Sequence, residues 1–302
     1  MMTAAKNRKV WLGVLAATGI YAVYGLNMAF CKDIAETSLI TPTALFTLRV
    51  GGAALLFWIL SLFIPREKLS GKDFGLAFLG SLLVITIPQF SFLLGITMAS
   101  PFDASLIATL KPLLTMTVAF VLGREAFHWN VLTGVILCFV GALLIVLKPA
   151  NANSAFTTSL PGFLLLLLNG LSVAFYLVLF KDFVSRHSAV SLMKWMFLFA
   201  LVLSLPLSVK DLGQTQFSTF GSMIIIEIGF LVVFATFLTY FIMPTAQRHL
   251  TATQYSLFSY VQCIVAAVAG IMMGLESLTL QKIIASVFFV AGVFVVIRPG
   301  KK

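Results

Sequence analysis

Lys111 stands near the centre of an apolar run that extends from Pro101 to Leu122. About 20 apolar residues cross a bilayer as a helix. An ammonium group at that depth costs about 2.5–3.5 kcal/mol on insertion scales, so such a residue faces protein or water and has a task there. The surrounding chain must therefore be a membrane protein that hides a cation. Only 10% of the 302 residues are charged and 60% are hydrophobic, against about 25% charged in soluble domains. The net charge of +10 is no sign of a nucleic-acid partner, because the basic residues separate apolar runs instead of forming a patch.

The hydropathy pattern predicts ten transmembrane helices: Val10–Phe30, Thr43–Ile64, Phe74–Met98, Pro101–Leu122, Trp129–Leu147, Pro161–Lys181, Val190–Val209, Phe220–Met243, Thr253–Gly274 and Leu280–Ile297. Breaks fall where proline, glycine and charge gather, as at Ile64-Pro65-Arg66-Glu67-Lys68. Ala99-Ser100-Pro101 is so short a link that the third and fourth spans must form a tight antiparallel hairpin. Val10–Phe30 is long enough to remain as the first span instead of serving as a cleaved leader. Cys31, Cys138 and Cys263 have no CxxC or metal-ligand spacing and read as ordinary residues of apolar helices.

Lys and Arg set the orientation. With the N-terminus in the cytoplasm, the inner segments hold Lys6, Arg8, Lys9, Arg66, Lys68, Lys72, Arg124, Lys181, Arg186, Arg248, Arg298, Lys301 and Lys302, and the outer ones only Lys32, Lys148, Lys210 and Lys282. Both termini are thus expected inside, in the plasma (inner) membrane.

The chain also repeats itself. Gly123-Arg124-Glu125 matches Gly274-Leu275-Glu276, and Gly141 matches Gly292, each 151 residues on. Lys148-Pro149 and Arg298-Pro299 close the two copies. Residues 1–150 and 151–302 are therefore expected to be two five-helix repeats. Five is odd, so the copies must insert with opposite orientation. Inverted repeats of this kind suit carriers that bind substrate at the midplane and rock one half against the other.

These features resemble the EamA-type members of the drug/metabolite transporter superfamily. Tyr24-Gly25-Leu26-Asn27 is similar to the Trp-Gly-x-Asn signal of the family's first span. Arg49 sits where its second span commonly has arginine, and Pro112 occupies its fourth-span proline. The resemblance covers nearly the whole chain and implies a transporter whose first four spans in each half enclose a central cavity. The fifth and tenth would lie aside as a packing or homodimer surface. Gly134, Cys138, Gly141, Ala285 and Gly292 supply small residues for such a face. Two positions depart from the pattern: Lys111 beside the proline, and Cys263 in the proline's place in the second half.

The candidate binding residues follow from depth. Lys111 lies about 15 Å from the outer end of its span, at 1.5 Å per residue. Its counterpart 151 residues on is Gln262, so the two should face each other, one from each half. Lys111 would hold an anionic group such as a carboxylate or phosphate, or answer a proton; the alternative is a structural lysine satisfied by its neighbours. Glu227, about 11 Å deep, is its expected partner and coupling residue; the alternative is a solvated carboxylate nearer the interface. Arg49, about 9 Å deep, either lines the outer vestibule or snorkels to the surface. Asn27, Gln89, Tyr255 and Phe258 complete the expected cavity, with Gln89 following a Pro88 kink. Asn169, Tyr176, Tyr240 and Tyr260 are weaker candidates.

No HExxH, GxSxG or P-loop motif occurs, and no metal or cofactor site is expected. The leading reading is a secondary carrier, not an enzyme, moving a small organic metabolite outward, with amino acids or other carboxylates favoured and protons as a coupling ion. A lipid or lipid-linked sugar flippase is the alternative. A channel would need polar rings along a pore.

Overall fold

The computed structural model describes residues 2–65, 67, 69–124, 158–250 and 252–275, with isolated positions between 133 and 144 and between 280 and 295. Among the described residues every regular element is a helix, and eight segments are long and apolar enough to cross a membrane. The helices are α1 Met2–Thr37, α2 Pro42–Ser61, α3 Gly71–Ser81, α4 Ile87–Thr97, α5 Pro101–Ala108, α6 Lys111–Val121, α7 Leu160–Leu179, α8 Lys181–Arg186, α9 Ala189–Gln214, α10 Ser222–Val232, α11 Thr239–His249, α12 Ala252–Leu257 and α13 Ser259–Met272. More than half of the expected fifth and tenth spans falls outside the described residues, as do Cys138, Ala285 and Gly292 of their small-residue face.

The helix starts are written in the sequence. Thr41, Ser100 and Ser159 each cap a first turn with a side-chain oxygen, and each is followed within two residues by proline. Ser70 and Asp73 form a reciprocal capping box on α3. The ends of α6 and α13 are images of one another. Gly123 and Gly274 take φ +67° and +70°. Arg124 N–H then bonds to the Ala119 carbonyl and Leu275 N–H to the Gly270 carbonyl, both at 2.9 Å or less. This is the Schellman ending, which needs a residue free to adopt a left-handed conformation.

α1 runs past Phe30, where the first span was expected to stop. It continues to Thr37 and is ended by Ser38 at φ 54°. Asp33, expected in an outer loop, is thereby part of the helix.

Two spans are continuous but locally widened. A π-helical stretch, Leu82–Thr86, joins α3 to α4, and another, Val233–Leu238, joins α10 to α11. They begin 151 residues apart, at the same position of each repeat. Two further spans are broken. α5 and α6 are separated at Thr109-Leu110, where Pro112 has no N–H for the Ala108 carbonyl. α12 and α13 are separated at Phe258, two positions earlier in the repeat and without a proline; nothing in the local sequence requires that second break.

The two halves interlock. α1 packs on α13 as α7 packs on α6, α4 packs on α7 as α11 packs on α1, and α2 lies along α9. The packing is close where glycine permits it: a Cβ added at Gly25 would sit 2.6 Å from Val265 Cβ and 2.9 Å from the Gln262 carbonyl oxygen. Large apolar side chains such as Leu55, Phe63, Ile226 and Ile264 point outward, as a lipid-facing surface requires.

Polar ties between the halves gather at the span ends. Asp211 accepts from Thr41 and Thr43, and Thr158 donates to Asp103 at 2.7 Å. At the other end His187 Nδ1 meets Glu67 Oε1 at 2.6 Å, and its Nε2 lies 3.6 Å from Asp73. Within the second half, Arg248 donates to the carbonyls of Val184 and His187 and so steadies the His187 end of this tie. Burial pushes the Glu67 carboxyl up, but hydrogen bonds from the Ser188 backbone and from His187 outweigh it and hold the group below the usual carboxylate range.

Candidate functional site

A cavity opens where the broken and widened helices meet. α1 contributes Tyr21, Tyr24, Asn27 and Met28, α2 Arg49, and the third span Val84, Pro88, Gln89 and Phe92. Lys111, Asn169, Val173, Ala235, Tyr240, Met243, Tyr255 and Gln262 complete it. The space between these atoms is about 650 Å³, mouth included. Among the described residues, none that lines it is acidic.

Lys111 is the first residue of α6, at the edge of the helix break, and is 9% exposed. Its Nζ lies over the Tyr21 ring, 5.8 Å from the centroid, close enough for a cation–π contact. Among the described residues no carboxylate lies within ion-pairing distance of it. Gln262, on α13, donates through Nε2 to the Met28 sulfur at 3.4 Å. Lys111 and Gln262 thus border one cavity from the two halves.

Gln89 is held by a chain of bonds that begins with a proline. Pro88 has no N–H to offer the Val84 carbonyl four residues before it. The Tyr240 hydroxyl donates to that carbonyl at 2.7 Å and accepts from Gln89 Nε2 at 3.2 Å. Asn169 donates to the Pro88 carbonyl at 2.8 Å, and Ser172 to the Leu83 carbonyl at 2.8 Å. The backbone freed by the kink and the π-helical stretch is therefore re-satisfied by side chains of the second half.

Arg49 does not snorkel. It is 3% exposed, donates through Nε to Thr236 Oγ1 at 3.1 Å and through Nη1 to the Cys31 sulfur at 3.6 Å. Asn27 is buried beside it and accepts from the Cys31 thiol. Tyr255 is 1% exposed and packs its ring 5.3 Å from that of Tyr21.

Two expected members are placed elsewhere. Phe258 sits at the break between α12 and α13, half-buried against the core and outside the cavity lining. Glu227 is fully buried but does not line the cavity, and it does not pair with Lys111. Its carboxyl faces that of Asp33 on α1, with Cys31 nearby. Its depth along the span had pointed to Lys111, but depth alone does not give the direction in which a helix presents a side chain. Of the weaker candidates, Asn169 and Tyr240 line the cavity, and Tyr176 and Tyr260 do not.

Tyr21, Met28 and Met243 were not anticipated. The first two were legible in principle: positions 21, 24, 27 and 28 share one face of α1, and Asn27 already marked that face.

Chemically, the cavity joins two cationic side chains, neutral amides and an aromatic wall, which suits an anionic group on a small organic molecule. The comparisons agree with the architecture. The chain is 25% identical over 297 residues to an uncharacterized transporter of Archaeoglobus fulgidus, covering 96% of this chain and 99% of that one. A solved crystal structure of 15% identity superposes with a TM-score of 0.64 over 96% of both chains; at that identity it speaks for the fold alone. Residues 11–147 and 160–298 each match the EamA-like transporter family. With both halves matched, this multi-pass membrane protein belongs to the EamA-like transporter family.

Proposed function

We propose that this transporter is a secondary carrier of a small organic anion, a carboxylate in particular, bound at the cavity by Lys111. The observation that carries the reading is the placement of Lys111: it stands at a helix break, beside a cavity shared by both halves, without a carboxylate partner among the described residues. Discontinuous helices that meet near the midplane are how carriers of this build hold substrate. Arg49 offers a second cation, and Gln89, Asn27, Gln262 and Tyr255 surround the site.

The finer features belong to the same proposal. Residues 1–150 and 151–302 form two inverted five-helix repeats, ten spans in all. Both termini are cytoplasmic, and the membrane is the plasma membrane. The repeat offset and the distribution of Lys and Arg support this. Transport is outward, with protons coupled through Glu227. No residue acts as a catalyst, and the outer face of the fifth and tenth spans supports a homodimer.

Counterflow in proteoliposomes tests the reading. Wild-type protein loaded with a mixture of unlabelled carboxylates should accumulate a labelled member saturably, and Lys111→Gln should lose this uptake. Uptake by Lys111→Gln equal to wild type would show that the lysine is structural. Movement of labelled lipid without any carboxylate counterflow would favour a flippase.

A further inference from the structure

A second, smaller pocket lies outside the central cavity. It is lined by Leu177, Lys181, Gln247, Leu250, Ala252 and Tyr255 and spans about 170 Å³, mouth included. Lys181 starts α8, which leads to His187, and Gln247 precedes Arg248, which bonds to the His187 carbonyl. The pocket therefore belongs to the end of the bundle where His187 meets Glu67. Lys181 is the one exposed residue of its lining and so stands at the mouth. Tyr255 lines this pocket and the central cavity alike. Its ring packs 5.3 Å from that of Tyr21, over which Lys111 Nζ lies. Tyr255 is thus a wall that the two spaces share.

The pocket is equipped with donors. Gln247 Nε2 and the Tyr255 hydroxyl are buried and have no hydrogen-bond partner among the described residues. A buried donor left unpaired is costly, and each such exception asks for an explanation. The scaffold does not require these groups. Counted back by the 151-residue repeat, Gln247 corresponds to Ile96 and Tyr255 to Ala104, both buried and apolar. Only one of the two repeats carries the polar pair. With Lys181 the set comprises an ammonium, an amide NH2 and a hydroxyl. Among the described residues, none that lines the pocket is acidic. Asp182 follows Lys181 in the chain but is not part of the lining.

We propose that this pocket is a peripheral anion site, where the carboxylate of the transported molecule docks before it reaches Lys111. The pocket admits the head group alone, and the remainder of the molecule stays in the mouth. The orientation proposed above puts this end in the cytoplasm, the side from which outward transport loads. Passage inward then requires Tyr255 to move, and Tyr255 sits on α12, a six-residue helix that ends at the break by Phe258. The inference rests on Lys111 as the anion's final partner and adds the place where the anion is first met.

The test sends charged thiol reagents into the pocket of the full-length protein. With Cys31, Cys138 and Cys263 replaced by alanine, Gln247→Cys and, separately, Ala252→Cys are treated in detergent with 2-sulfonatoethyl methanethiosulfonate or with its trimethylammonium counterpart. Each rate is divided by the same reagent's rate with free 2-mercaptoethanol. The anionic reagent should be favoured at least about tenfold, as a cleft of one charge sign concentrates its counter-ion, and Lys181→Gln should erase the preference. In proteoliposomes, Lys181→Gln should raise the KM of the labelled carboxylate that wild type accumulates by more than it lowers the maximal rate. A ratio near one at both positions, or one that Lys181→Gln leaves unchanged, overturns the anion site and leaves the Lys111 reading intact. An anion preference with an unchanged KM overturns the docking role. Absence of carboxylate counterflow in wild type strikes the Lys111 reading, and the passage to it falls as well.

Discussion

Gln89 and Tyr240 occupy the same position in the two halves, 151 residues apart, and they bond directly to each other at 3.2 Å. Equivalent positions can touch only at the centre of whatever operation relates the halves. Lys111 and Gln262, also 151 apart, border the same cavity. The centre of the molecule is therefore where the two copies have diverged in sequence, a lysine against a glutamine and a glutamine against a tyrosine. A duplicated scaffold has been made chemically asymmetric at its axis.

Tyr240→Phe isolates what that contact contributes. The change removes the donor to the Val84 carbonyl and the acceptor for Gln89 together. Interhelical hydrogen bonds in membranes contribute about 0.6–1.7 kcal/mol. The variant should unfold at a lower temperature in detergent, and Gln89→Met added to it should cost little more, because the two share one network. Fully additive losses would mean that the two side chains act independently.

Two glycines on α1 should respond in opposite ways. Gly19 has open space where a Cβ would go, whereas at Gly25 the new atom meets Val265 and the backbone carbonyl of Gln262. Gly19→Ala should therefore hold or raise the melting temperature, since glycine within a helix costs about 0.5–1 kcal/mol. Gly25→Ala should lower it by the equivalent of about 1–3 kcal/mol, as overpacking does, and should weaken ligand binding by displacing Gln262. Equal melting temperatures for the two variants would contradict the close approach of α1 and α13.

How far the sequence could be read depended on the kind of information asked for. Lys111 and Gln262 followed from depth and from the repeat, Arg49 from depth and the family pattern, and Gln89 from the kink at Pro88, because burying polarity in lipid is costly wherever it occurs. Glu227 was assigned the wrong neighbour. A hydropathy window set the end of α1 at Phe30 and so hid Asp33, which faces it. The π-helical stretches at Leu82–Thr86 and Val233–Leu238 change the face each third span presents, and no residue pattern announces them. Phe258, expected to help line the cavity, falls at the break between α12 and α13, which the sequence does not announce.

The Glu67–His187 contact predicts an acid-sensitive tie between the halves. Glu67 is held below the usual carboxylate range in the folded protein, so its contribution to stability is fully present above that range and disappears as the pH falls through the depressed value. The melting temperature of Glu67→Gln should lie below wild type at pH 7, and the gap should close on acidification below about pH 4.3. A gap that stays constant down to pH 3 would show that the glutamate acts through shape and not through charge.

Glu227 and Asp33 offer the last and most direct test of coupling. Both carboxyls lie on helices of the bundle, from different halves, and face each other away from the Lys111 cavity. The two carboxyls stand where α1 packs on α10, and these helices move relative to each other if the halves rock. A proton taken up here would change how the halves meet without touching the substrate. Glu227→Gln should therefore keep ligand binding, read as a wild-type thermal shift, while the rate of proteoliposome transport loses its dependence on pH. Asp33→Asn should flatten the same profile. If both variants transport with the wild-type pH profile, coupling does not pass through this pair, and the proton is carried elsewhere or not at all.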